Sequence, residues 1–519
     1  MIANRRDLIK RFLLGTAGVL ALRDLEGAAA VAAVTASELA ADPRRPQYHL
    51  LPPANWMNDP NGPIYWRGQY HMFYQYNPDA SVWGDMHWGH AVSPDMVRWK
   101  HLPVALSPTP GGPDADGCFS GTAVVQGDRV AVLYTGVRSV PESEATLSDG
   151  VHSLRETQCL AYSHDSDLKS WIKLPRPVIA APPQGLSVTG FRDPTPWREG
   201  DDWLLAIGSG FPNRGGAVLL YRSKDLRYWE YLHPLVSSET PGGGAANPVD
   251  SGDMWECPDF FPLGNRHVLI YSTKGKSRWM TGAFDRQALK FNPEQAGTLD
   301  TGAYYAAKTQ TDKAGNRVLW GWIPETRPVE AYRAAGWACL MSLPRILTLG
   351  SDGRLRMNIA PEVHQLRRSE QRFIHERTEE QRLQQIAQMK IDAACGEIAF
   401  VVQAGSQAFN LSIYPDDREP ANQSTCLSLS FDPGHPGQIT IDDKSLALES
   451  GRTQAELSLY IDSSVIELIL NGRVAHTKRF YLPGARPRNL RFKWAGTTGA
   501  IERLSVWQLT PISRNRLTT

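Results

Sequence analysis

The chain has 519 residues, more than a single domain usually holds, so two domains plus a processed end are the first expectation. Its 55 Lys+Arg against 54 Asp+Glu leave a net charge of +1, without the basic surplus of a nucleic-acid or anionic-membrane protein, so the partner expected is a neutral small molecule or polymer. Six cysteines without a C-x-x-C pair exclude a disulfide-dense scaffold. Cys395 and Cys426 share a late region and could pair in an oxidising compartment.

Residues 1–40 form an export signal and spacer. Asn4-Arg-Arg-Asp-Leu-Ile-Lys10 opens the chain, an apolar run from Phe12 to Leu22 follows, and an Ala-rich stretch with several overlapping Ala-x-Ala frames closes it. The paired arginines resemble a twin-arginine signal. Eleven residues are too few to cross a bilayer, which takes about 20. The competing reading is a membrane-surface helix that stays attached. After signal removal no membrane partner is expected.

A strand–turn–Trp unit then recurs. Asp95-Met-Val-Arg-Trp99, Asp167-Leu-Lys-Ser-Trp171 and Asp225-Leu-Arg-Tyr-Trp229 begin 72 and 58 residues apart, each after an apolar run, with a weaker echo at Gly282-Ala-Phe-Asp285. Helical periodicity is scarce here, and the period is too long for the coils of a β-helix. The unit therefore predicts an all-β fold with a five-bladed β-propeller over residues 45–350. Residues 351–390, with the polar Thr378-Glu-Glu-Gln-Arg-Leu-Gln-Gln-Ile-Ala-Gln-Met389, break the pattern and are predicted as a linker. Alternating strands such as Phe409-Asn-Leu-Ser-Ile413 and Val465-Ile-Glu-Leu-Ile-Leu470 predict a C-terminal β-sandwich over 391–512, with no chemistry evident in it.

Acidic residues in Trp/Gly/Pro-rich contexts follow the blade period. Asp59 lies in Trp56-Met-Asn-Asp-Pro-Asn-Gly62, Asp193 in Phe191-Arg-Asp-Pro194 and Glu256 in Trp255-Glu-Cys-Pro258, with Phe119-Ser-Gly-Thr122 between the first two. The gaps from Asp59 through Ser120 and Asp193 to Glu256 are 61, 73 and 63 residues. If each sits on the innermost strand of its blade, all face one funnel lined by carboxylates and indoles. Such a funnel suits glycoside hydrolysis, in which one carboxylate attacks the anomeric carbon and another, its pKa raised by like charges, protonates the leaving oxygen. His87-Trp-Gly-His90 lacks a third metal ligand. Cys257 has no adjacent base and is expected to be packing.

Together these motifs resemble glycoside hydrolase family 32, the invertases, inulinases and levanases. Phe73-Tyr-Gln-Tyr-Asn-Pro78, Trp83-Gly-Asp-Met-His-Trp-Gly-His90, Asp300-Thr-Gly-Ala-Tyr-Tyr-Ala306, Leu319-Trp-Gly-Trp322 and Leu343-Pro-Arg345 extend the match over about residues 46–370, and Asp462-Ser-Ser-Val-Ile-Glu467 carries it into the sandwich. The resemblance implies a retaining β-fructosidase acting on sucrose or fructans, with Asp59 the nucleophile, Glu256 the acid/base and Asp193 the transition-state stabiliser. It implies that Asn58, Gln75, Trp83, Phe119, Ser120 and Arg192 line the fructosyl subsite and that Tyr305 sits by the carboxylates. Thr301, where the family often carries an aromatic residue, and Thr122 in place of Ser are departures that remove no catalytic group. No cofactor and no metal are implied, since the reaction needs only protons and water. A fructosyltransferase on the same site, an arabinan-type hydrolase and a non-catalytic carbohydrate-binding propeller are the rival readings. Retention of both Asp59 and Glu256 speaks against the last.

Overall fold

The computed structural model of the chain describes residues 34–513 apart from 150–151, 239, 241–242, 244–245, 406, 417–424, 450 and 452. The basic and apolar parts of the expected export signal lie outside the described residues. Within its expected spacer, Thr35 caps a short helix, Ala36–Ala41, and Leu39 is buried with Leu51, Trp337 and Leu340.

Five antiparallel sheets of four or five strands form the propeller. Their innermost strands, Asn55–Trp66, Cys118–Gln126, Phe191–Glu199, Glu256–Leu263 and Tyr305–Thr311, pack side by side in a closed ring. The second strand of a blade is covered by neighbouring blades on both faces, which is why Asp202–Phe211 is an almost unbroken apolar run. Outer strands such as Lys100–Leu106 mix exposed and buried positions because one face meets water. The ring closes on blade 1, where Trp337–Ala338 pairs in parallel with Asn55 and Trp56.

The strand–turn–Trp units are the connections between the third strand and the outer edge of a blade. Asp95 accepts hydrogen bonds from the Val97 and Arg98 amides, and Asp225 from those of Arg227 and Tyr228. Met96, Leu168 and Leu226 are left-handed, and their carbonyls accept the indole N–H of Trp99, Trp171 and Trp229. The aspartate closes the turn and the indole satisfies a carbonyl that the left-handed step leaves unpaired. Blade 2 departs from the expected pattern. Its turn acceptor is Asp165, bonded by the Asp167 and Lys169 amides, while Asp167 faces solvent and pairs with Lys169.

All five innermost strands carry the same irregularity. Between Met57 and Pro60, Cys118 and Gly121, Arg192 and Thr195, Glu256 and Asp259, and Tyr305 and Lys308 the inner strand advances three residues while its partner advances two. Each is a β-bulge with one extra residue, which turns a side chain out of the pleat. In blades 3 to 5 the first bulged residue, Asp193, Cys257 or Ala306, is left-handed.

Residues 351–390 are not a free linker. Leu355–Ile359 is the outer strand of blade 5, Arg367–Arg372 is an edge strand of the sandwich, and the helix Glu379–Gln388 buries only Ile386. An edge strand and a one-sided helix expose most side chains, so their sequences are polar without being loops. The sandwich is two six-stranded sheets, and strands such as Phe409–Pro415 bury alternate residues in one core. Cys395 and Cys426 pack in different clusters with no disulfide between them, and the Cys395 thiol points at the Leu509 carbonyl.

A buried ionic chain joins the two domains. His49 Nδ1 lies 2.8 Å from Asp462 and Nε2 lies 3.0 Å from Glu467. Arg345 bridges Glu467 and Asp300, and Asp300 accepts from the Thr477 hydroxyl. Asp462 and Glu467 belong to the motif that carried the resemblance into the sandwich, and they serve here as the joint.

Candidate active site

The bulges place the expected side chains at the ring's centre. Asp59 is the second bulged residue of blade 1 and Ser120 that of blade 2, while Asp193 is the first of blade 3. Glu256 and Tyr305 stand immediately before the bulges of blades 4 and 5.

Asp59 Oδ1 accepts from the Asn58 amide (3.0 Å) and Oδ2 from the Ser120 hydroxyl (2.7 Å). Trp56 donates its indole N–H to Asn58 Oδ1 at 2.8 Å, which orients that amide toward Asp59. Burial raises the Asp59 pKa above the usual carboxylate range, opposed by the Ser120 and Asn58 donors and reinforced by Glu256.

Asp193 is buried. Its amide donates to Thr135 and its Oδ2 accepts the Cys257 amide at 2.8 Å. Burial drives its pKa up, Arg192 pulls it down, and Glu256 and Asp59 push it up again. The rise expected from like charges in a desolvated funnel therefore falls on Asp59 and Asp193.

Glu256 is held from two sides. Arg192 donates Nε (3.1 Å) and Nη2 (2.9 Å) to Oε1, and the Tyr305 hydroxyl donates to Oε2 at 2.6 Å. The other face of the guanidinium meets Glu156 Oε1 at 2.7 Å, and Glu156 Oε2 accepts the Phe191 amide.

Gln75 is buried and donates to the Cys118 carbonyl, so it braces the strand that carries Phe119 and Ser120. Trp83 and Phe119 are half-buried and meet edge to face, 5.7 Å between ring centres. Trp322 stands edge-on to both Trp56 and Tyr305. Donors, carboxylates and aromatic rings are thus brought together at the centre of the ring, as a sugar ring with polar edges and apolar faces requires.

Two residues here were not anticipated. Glu156, in Leu154-Arg-Glu-Thr-Gln158, has no motif of its own; its only signal was that a buried Arg192 needs a second counter-charge. Cys257 is more than packing. Its thiol lies 3.4 Å from both Asp59 Oδ2 and Asp193 Oδ2, and burial holds its pKa well above the ordinary thiol value, so it stays protonated and donates. His90 and His87, read as structural, face different partners: His90 pairs with buried His71, while His87 points at the Asp85 carbonyl.

Comparison with known proteins agrees with this architecture. Residues 49–359 match the family model "Glycosyl hydrolases family 32 N-terminal domain" and residues 362–508 match "Glycosyl hydrolases family 32 C terminal". The chain is 33% identical over 493 residues to a sucrose-6-phosphate hydrolase of Escherichia coli, covering 89% of this chain and 94% of that one. A solved family 32 β-fructofuranosidase of Bombyx mori superposes with a TM-score of 0.72 at 30% identity, covering 92% of this chain and 97% of the other. Fructan 1-exohydrolase IIa of Cichorium intybus, solved with 1-kestose, superposes with a TM-score of 0.73 at 26% identity, covering 90% and 98%. With both of its domains matched in order, the chain belongs to glycoside hydrolase family 32.

Proposed function

We propose that this glycoside hydrolase is a retaining β-fructosidase that releases terminal β-fructofuranosyl units from sucrose, and from fructans that share that terminus. The observation that carries the reading is the division of labour among three carboxylates. Asp59, with neutral donors on both oxygens, is set up as the nucleophile on the anomeric carbon. Glu256, between a guanidinium and a phenol, protonates the departing glycosidic oxygen and then takes a proton from water as the fructosyl–Asp59 ester is hydrolysed. Asp193, accepting from the Cys257 amide, is placed to bond fructosyl hydroxyls as positive charge develops on the ring. The substrate reading is supported by the relatives' names, which include a β-fructofuranosidase and a fructan exohydrolase. Export by the twin-arginine-like leader is part of the same proposal, because polymeric fructans are met outside the cell.

Product analysis of the purified chain with sucrose, inulin and levan in parallel tests the reading. Free fructose supports it and ranks the substrates, whereas longer oligofructosides from sucrose would identify a transferase. Asp59→Asn and Glu256→Gln should each lower kcat by about a thousand-fold or more with folding intact. Near-normal turnover in either variant would overturn the mechanism.

A further inference from the structure

We propose that the C-terminal sandwich positions the acid/base from a distance: strand Val474–Arg479 and Lys444 hold the segment Asp300–Tyr305 in the conformation that keeps the Tyr305 hydroxyl on Glu256. The segment leaves the outer strand of blade 4, runs along the edge strand Val474–Arg479 of the sandwich, and enters blade 5 at Tyr305.

Asp300, Thr301 and Ala303 tie it to the sandwich. Asp300 bridges in parallel to Ala475, and Asp300 Oδ1 accepts the Thr477 amide at 2.9 Å. The Thr301 amide donates to the Ala475 carbonyl (2.9 Å) and the Ala303 amide to the Thr477 carbonyl (2.8 Å). At Gly302 a Cβ would stand 1.9 Å from the Thr477 carbonyl oxygen, so the approach is too close for any side chain. Tyr304 lies under the Arg345 guanidinium, 4.4 Å from it.

Two lysines from different domains then converge on one carbonyl. Lys444 of the sandwich donates to Thr301 O at 2.7 Å, and Lys276 of blade 4 donates to Thr301 O and Gly302 O at 2.9 Å each. Neither makes an ion pair with a carboxylate among the described residues, so their charge is spent on fixing this turn. Three residues beyond Gly302 the chain presents Tyr305, which donates to Glu256 at 2.6 Å. A hydrogen bond this short depends on tenths of an ångström in the phenol's position, and that position is set by where the preceding turn is pinned.

The inference rests on Glu256 being the acid/base. Glu256 is faced by Arg192 and Asp193 of blade 3, Asp59 of blade 1, Tyr305 of blade 5, its neighbour Cys257, and Asp250 on the preceding turn. None of these changes in the variants that test the coupling. Loss of a donor to the ionised carboxylate raises its pKa, so loosening Tyr305 moves the alkaline limb of the kcat profile upward.

The test uses Lys444→Met, a half-exposed position whose loss leaves the buried joint intact, and Thr477→Val, which removes the hydroxyl bonded to Asp300. Both should shift the alkaline limb of kcat on sucrose up by about 0.5 pH unit or more with KM within about two-fold of wild type. Lys444→Arg and Thr477→Ser should restore the wild-type profile. Titration of the Glu256 carboxyl by 13C NMR, its signal identified by its loss in Glu256→Gln, reads the same shift without substrate. A titration shift in a chain that cleaves no fructoside would sink the proposed function and leave the coupling standing. Curves superimposable on wild type in both folded variants would overturn the coupling, whatever happens to their thermal stability.

Discussion

At the scale of single residues, the site is governed by the fate of one buried cation. Arg192 is buried and has two carboxylate partners: Glu256, which the proposed mechanism needs accessible, and Glu156, which it does not. Glu156 therefore supplies a second counter-charge, which in the proposed mechanism leaves Glu256 available for its acid/base role. Replacing Glu156 by Gln removes that charge but keeps the shape, and breaking one side of a buried pair typically costs about 3 kcal/mol or more. The expected outcome is a clear fall in the urea midpoint of Glu156→Gln together with a loss of kcat, because Arg192 is then drawn wholly onto Glu256. An unchanged midpoint would mean that Glu156 is dispensable. Asp59, Asp193 and Glu256 were legible in the sequence because each sits in a motif whose composition is unusual. Glu156 was not, because its partner Arg192 lies on another blade, and the pairing of distant blades is not written in local pattern.

At the scale of elements, the sequence repeat and the bulge repeat carry different information. The Asp-to-Trp turn was visible, since an aspartate, a left-handed step and an indole leave a fixed spacing. Its blade 2 copy shows the limit of that signal: two aspartates two residues apart, Asp165 and Asp167, satisfy the same pattern, and only the backbone reveals which closes the turn. Asp165→Ala should therefore cost about 1 kcal/mol, as loss of a capping acceptor does, and Asp225→Ala a similar amount, because each removes two amide partners. Asp167→Ala should leave the thermal midpoint nearly unchanged, its Lys169 pair being exposed to solvent. Equal losses at Asp165 and Asp167 would contradict the assignment. The bulges were invisible from sequence, although they aim the site. An extra residue in a strand has no compositional marker when the bulged positions are Asn58, Phe119, Asp193, Cys257 and Ala306, five different side chains sharing only a backbone role.

At the scale of the whole molecule, propeller and sandwich meet through a joint that is ionic and buried. His49 stands between Asp462 and Glu467, both fully buried. Burial pushes its pKa down, but hydrogen bonds and charge from the two carboxylates outweigh burial and raise it to about 8, against 6.5 for an ordinary histidine. A group whose pKa is higher folded than unfolded stabilises the fold fully below the unfolded value, and that contribution is lost as pH rises through the folded value. The chain should accordingly lose up to about 2 kcal/mol of stability between roughly pH 6.5 and pH 9. Loss of the proton there leaves Glu467 to Arg345 and the Leu343 amide, so the joint weakens across this window. His49→Gln should be less stable than wild type at pH 6 and show a flatter dependence of its urea midpoint across this window. The two proteins should converge toward pH 9. If wild type instead held its midpoint constant across the window, the joint would be carried by Arg345 and packing, with His49 neutral throughout.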